Sequence, residues 1–283
     1  MRRVAVITGA SRGIGAATAL VLAERGFRVV VNHRASAPQA EEVVAAISAA
    51  GGEAVAIKAD VTEAGDVAAM VDETEQRWGR VDVLVHNALI PFDVTSFADL
   101  TWAQLGGKLD RELRAAYLVT KAVAPGMISR GYGRLVYLST GLSRRPRDGM
   151  ITLGTAKAAL DQFVRYVALE LAPHGITANL VAPATVDETK VTEQLSTEQL
   201  HHLGATNPMG RLVRPDGWPK QWRSWQVRSP VSPPVTTCRS MAACPWIEKA
   251  VYGRAHDRLG LCRARYSRRI GGLCRRPGGL LRG

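Results

Sequence analysis

Cysteine is missing from the first 237 residues, and the four in the chain (Cys238, Cys244, Cys262 and Cys274) all fall near its C-terminal end. Their spacing fits neither a CxxC metal site nor the disulfide framework of a small secreted domain, so they read as incidental thiols and no metal is expected. No apolar run reaches the ~18–20 residues that span a bilayer, and the N-terminus enters a strand directly instead of a leader; a cytoplasmic chain without a membrane partner is the expectation. Acidic residues are nearly absent from 217–283, which holds 14 Lys+Arg against 2 Asp+Glu, whereas 1–216 holds 23 against 23. The whole net charge of +12 (14 − 2) therefore belongs to the tail. Its arginines are scattered among Pro and Gly instead of clustering on a periodic face, which argues against a nucleic-acid partner.

What is present is a regular alternation. Val4-Ala5-Val6-Ile7 leads into Thr8-Gly9-Ala10-Ser11-Arg12-Gly13-Ile14-Gly15, which opens a helical pattern carried by Ile14, Thr18, Val21 and Leu22. This is strand, tight turn, helix, in which the glycines let the backbone approach a pyrophosphate and the free helix N–H groups hold its charge. Further strands are read at Arg28–Asn32, Ala54–Ala59, Val81–Val85, Gly133–Thr140 and Ile176–Val181, with helices at Pro38–Ala50 and Ala64–Trp78. Strands apolar on both faces, alternating with helices, predict an α/β fold of Rossmann type. That is a doubly wound parallel sheet covered on both sides, in a single domain of this length.

The Gly-x3-Gly-x-Gly turn, Ala59-Asp60-Val61 after the third strand and Asn87-Ala88 after the fourth resemble the short-chain dehydrogenase/reductase family. The resemblance covers roughly 1–216. It implies an oxidoreductase acting on a carbonyl or alcohol of a small molecule, ketoreductase-like, and a homo-oligomer. It also implies that Gly9, Ser11, Arg12, Gly13, Ile14, Gly15, Asp60, Val61, Asn87, Ala88, Pro183, Val186 and Thr189 hold a nicotinamide cofactor, with a substrate lid at about 188–205. An acidic residue about 20 positions past the glycines would take a ribose 2′-hydroxyl, while arginine suits a 2′-phosphate. Arg34 stands there, with Arg12 in the glycine turn, so NADP(H) is expected.

The catalytic half departs from the family. Leu89 replaces a glycine after Asn87-Ala88, and Glu112 stands where an asparagine is usual. Thr140, with Ser139 beside it, keeps the hydroxyl that polarises the substrate carbonyl. Lys157 keeps the lysine that holds the nicotinamide ribose and lowers a tyrosine's pKa. The tyrosine position itself is Leu153. General acid catalysis is worth typically 10²–10⁴ in rate, so its loss is serious. Redox chemistry would then depend on Thr140 and Lys157 with water or Glu112 as proton source. The alternative is a non-redox catalyst (dehydratase, aldolase or cyclase type) or a cofactor-binding partner without activity. His201-His202 read as exposed lid histidines before catalytic ones.

Past Asp216 the family would continue with an alanine-rich helix and a last strand ending near Asp-Gly-Gly. The chain instead runs Gly217-Trp218-Pro219-Lys220-Gln221-Trp222, and four of its six tryptophans lie in 217–283. Back-translation from the third base of the Gly217 codon restores an apolar, alanine-rich pattern. The same shift over Ser229–Ala243 permits Ala-Gly-Val-Thr-x-Gly and then Asn/Asp-Gly-Gly. The last 67 residues (283 − 216) therefore read as an irregular, basic, frame-shifted tail that lacks the closing helix and strand and weakens oligomer contacts. A genuine basic extension is the alternative.

Overall fold

The computed structural model describes residues 2–183, 185–189, 192–194, 196–207, 210–215 and 237–238. Ala184, in the segment expected to meet the nicotinamide amide, and most of the tail lie outside them. The strands are β1 (Val4–Ile7), β2 (Arg28–His33), β3 (Glu53–Lys58), β4 (Val83–His86), β5 (Gly133–Leu138), β6 (Ile176–Val181) and β7 (Thr237–Cys238). All pair in parallel, in the order β3-β2-β1-β4-β5-β6-β7.

Alternate residues of each strand feed opposite layers. Val4, Val6 and Leu84 pack with Met70, Val119 and Leu160, from α3 (Ala64–Trp78), α4 (Trp102–Arg130) and α5 (Ile151–Leu171). Ala5, Ile7, Val83 and Val85 pack with Leu22 and Ile47 from α1 (Gly13–Glu24) and α2 (Ala37–Ala49). With both faces covered, a strand such as β1 is buried at every residue, which is why these strands read as unbroken apolar runs. The chain runs outward from β1 to β3, crosses back to β4 and continues the other way. The strand ends therefore part between β1 and β4, where open sheets of this kind bind ligands.

Some expectations shift. The fourth strand starts at Val83, two residues later than the apolar run from Val81. The lid region forms a 3₁₀ turn at Thr192–Gln194 and a helix α6 at Thr197–Ala205, opened by a capping box between Ser196 and Gln199. The tail is not irregular throughout. Thr237–Cys238 adds β7 to the edge of β6, so the edge expected to stay open is paired at Leu180 and Val181. Thr237 is β-branched, and such a residue favours an extended backbone in whatever frame it arose.

Candidate functional site

The ends of β1 to β6 contribute to one cavity of about 910 Å³. After β1, Gly9 turns with φ +62° and lies against Ala88, where an added Cβ would sit 2.8 Å from the Ala88 Cα. Only glycine allows that approach, and it lets the turn hug the end of β4. Asn87 fixes the junction by donating to the carbonyls of Thr8 (2.9 Å) and Gly9 (3.0 Å), while the Thr8 hydroxyl accepts from the N–H groups of Asn87 and Ala88. Gly15 packs behind the turn against the Gly9 carbonyl and Asn87, and does not itself line the cavity. Asn32, buried at the end of β2, accepts from Gly9 N–H and donates to Ala59 O (3.1 Å), tying β1, β2 and β3 together. A polar residue closing an apolar strand was the signal for it.

The first turn of α1 carries no acidic side chain, and its N-terminal N–H groups face a cradle lined by Gly9, Ser11, Arg12, Gly13 and Ile14. That is the donor set a pyrophosphate requires. Arg34, Asp60, Val61, Asn87 and Ala88 line the adjoining wall. Arg34 pairs with Asp60 at 3.5 Å, and Arg12 with Glu193 of the lid at 2.9 Å. Burial opposes ionisation of Asp60, but donors from Thr62 and the Arg34 charge hold its pKa below the ordinary value.

The same cavity brings together Ser139, Thr140, Leu153, Lys157, Pro183, Val186 and Thr189. Leu153 is buried on the first turn of α5, one turn before Lys157, so the tyrosine position does fall on leucine. Among the described residues no tyrosine lines the cavity. Tyr137 is sequestered in the core, bonded to the Thr120 hydroxyl at 2.6 Å, and burial pushes its pKa well up. Thr140 accepts from Leu142 N–H, which leaves its O–H able to donate into the cavity. Ser139 differs, because its hydroxyl donates to Asp161, which also receives Ser143 at 2.8 Å. The bond to Asp161 engages the Ser139 proton at the end of β5. His201 and His202 are exposed, and neither lines the cavity.

Glu112 does not line the cavity. It is fully buried on α4, with Lys108 Nζ at 2.5 Å and Lys157 Nζ at 2.7 Å. The contact with Lys157 is a charge pair, poorly directed as a hydrogen bond. Burial opposes its ionisation, yet Lys157 and Lys108 together lower its pKa to about 2. Glu112 thus stands as the shared counter-ion of two lysines, a setting that favours its charged form. Lys157 also donates to Leu138 O at 2.6 Å, and Lys108 to Ile90 O at 2.8 Å. Lys108 was not foreseen; its only sequence signal is that it stands four residues before Glu112 on the same helix.

His86 is buried beside this cluster, its pKa lowered to about 4 by burial first, then by Lys157 and Lys108, with Glu112 opposing. The unfolded imidazole takes a proton below its ordinary 6.5, the folded one only below about 4. Stability from this group is thus fully present above pH 6.5 and is lost as pH falls towards 4. Glu112 acts in the same sense lower down, its contribution present above 4.5 and lost towards 2. Urea titrations are expected to show unfolding free energy falling by about 1–3 kcal/mol between about pH 7 and about pH 4. His86→Asn should flatten that slope; an unchanged slope would show that His86 is not its source.

Comparison with known proteins agrees with this geometry. Residues 3–200 match the family described as short chain dehydrogenase. Over 214 residues the chain is 40% identical to a 3-oxoacyl-[acyl-carrier-protein] reductase of Synechocystis sp., covering 76% of this chain and 85% of that one. It is 34% identical over 215 residues to an acetoacetyl-CoA reductase of Cupriavidus necator, covering 76% and 87%. Among solved structures, a double mutant of a Serratia marcescens short-chain dehydrogenase/reductase superposes with a TM-score of 0.76 at 28% identity, covering 84% of this chain and 96% of that one.

Proposed function

The chain belongs to the short-chain dehydrogenase family, and from that premise we propose an NADP(H)-binding oxidoreductase for the carbonyl or alcohol of a small molecule, with an altered catalytic set. The observation that carries the cofactor half is the cradle at Gly9–Gly15: neither Gly9 nor Gly15 has room for a Cβ, the helix end carries no acid, and Arg34 flanks it. When bound, the reduced nicotinamide supplies a hydride. Ser11, Arg12, Gly13, Ile14 and the α1 end hold the phosphates, Asp60 and Val61 flank the adenine end, and Pro183, Val186 and Thr189 flank the nicotinamide end.

Thr140 donates its hydroxyl proton as a hydrogen bond to the substrate oxygen. Lys157 places positive charge beside it, and Leu153 excludes water where a proton donor would stand. Proton delivery then falls to Lys157 or to water reaching Thr140. NADPH is expected to bind at least tenfold tighter than NADH, about 1.4 kcal/mol, read by fluorescence titration. Arg34→Ala should erase the difference. Equal affinities in the unmodified protein would overturn the NADP(H) assignment.

Two observations favour a second reading on the same fold, a non-redox catalyst or a cofactor-binding partner: Leu153 in the donor position and Lys157 engaged by Glu112. It predicts NADPH binding with no ketone-dependent NADPH oxidation, even after Leu153→Tyr.

We further propose that 217–283 derives from a shifted reading frame, supported by the alternative-frame pattern and by the charge break at 216 (14 Lys+Arg against 2 Asp+Glu beyond it). Limited proteolysis is expected to remove much of the tail before cutting 2–183, and restoring the frame should raise stability and self-association. A tail as resistant as the rest, with the frame verified across the Asp216 codon, would refute this. We propose a homo-oligomer by analogy with the family, weakened here by that tail.

A further inference from the structure

The cavity that holds Thr140 and Lys157 is also lined by Leu142, Arg145, Arg147, Leu203 and Asn207. Arg145 and Arg147 lie in the segment that leaves the β5 end carrying Thr140 and precedes the helix carrying Leu153 and Lys157. Connectivity thus sets them beside the carbonyl-facing groups, whereas Arg34 and Ser36 line the wall reached from β2. Both are exposed. Their partners set them apart from the other arginines of the cavity: Arg12 is paired with Glu193 at 2.9 Å and Arg34 with Asp60 at 3.5 Å. Among the described residues neither Arg145 nor Arg147 has an ion pair or a side-chain hydrogen bond.

Two guanidinium groups two residues apart, with Pro146 between them, are not an overflow of general basicity, because 1–216 balances 23 basic against 23 acidic residues. Guanidinium forks match the planar carboxylate and the phosphate oxygens alike, by paired N–H donors. Leu142 and Leu203 supply apolar lining to the same cavity, suited to a short carbon chain running from the reacting carbon to a charged end.

We propose that Arg145 and Arg147 form an oxyanion-receiving mouth, so that the substrate carries a carboxylate or a phosphate at the end remote from its carbonyl. This rests on the reading of the cavity as a carbonyl site. The interaction is rim-exposed, so it is salt-sensitive and sets selection among substrates more than the rate of the chemical step.

The test uses matched probes titrated calorimetrically into the full chain saturated with NADP+. Dihydroxyacetone phosphate is compared with uncharged dihydroxyacetone for the phosphate source, and 4-oxopentanoate with its methyl ester for the carboxylate source. At least one charged probe is expected to bind tenfold or more tighter than its uncharged counterpart, and which pair shows the gap identifies the source. Arg145→Ala/Arg147→Ala should abolish the gap, Arg145→Lys/Arg147→Lys should keep part of it, and added salt should shrink it. NADPH affinity, measured separately, should change less than twofold in either variant. Failure to bind NADPH would overturn the cofactor reading of the cavity. With NADPH binding intact, three results would each overturn the oxyanion mouth alone: equal binding within both pairs, binding of no probe, or a gap that survives the alanine variant.

Discussion

Leu153→Tyr is expected to raise carbonyl reduction by about a hundredfold to ten-thousandfold, the usual worth of a positioned general acid. Leu153 is 4% exposed, lines the cavity with Thr140 and Lys157, and sits one helical turn from Lys157. A phenol there would face both. The gain should be smaller than the positions alone suggest, because Lys157 is already paired with Glu112 at 2.7 Å and has less charge to lend the tyrosine. Leu153→Tyr/Glu112→Asn frees it, and the two changes together should exceed the product of their separate effects, as expected for groups that act as a unit. NADPH oxidation with acetoacetyl-CoA and a panel of small ketones measures this. No gain in any variant that still binds NADPH would favour the non-redox reading.

The second large effect is on stability. Glu112→Gln leaves Lys108 and Lys157, 1% and 6% exposed, without their shared carboxylate. Removing one partner of a buried ion pair typically costs about 3–5 kcal/mol, because the remaining charge stays desolvated. A fall in Tm of roughly 10 °C is expected. Lys108→Met/Glu112→Gln should recover about half, since Lys108 is the cation whose pKa burial already lowers while Glu112 raises it. A Glu112→Gln protein as stable as the parent would mean that one lysine is already neutral in the fold and that Glu112 holds a single cation.

Much of the site could be read in order along the chain because strand ends converge. Gly9, Arg34, Asp60, Asn87 and Thr140 each follow an apolar run, and a parallel sheet gathers such positions at one edge. The fold needed only that alternation. Residues whose role is set by what packs on them were not legible in this way. Lys108 lies on a polar stretch that reads as solvated, and only the packing of α4 against the loop at Ile90 buries it. Asp161 reads as an outward helix position, yet it takes both serine hydroxyls. The 29 residues of α4 run through Pro125, a residue that in sequence marks a helix end. Glu112 was found by its position, but its ionisation depends on two lysines whose approach no spacing rule specifies.

Whether an intact NADP(H) site opens onto a carbonyl site lacking its proton donor is tested most directly by a crystal structure with NADP+. The account predicts the pyrophosphate on the α1 end at Gly13–Gly15, the 2′-phosphate on Arg34 with the Arg34–Asp60 contact opened, and the nicotinamide beside Thr140, Leu153 and Lys157. A cofactor bound outside this cavity, or one whose nicotinamide lies away from Leu153 and Lys157, would contradict it.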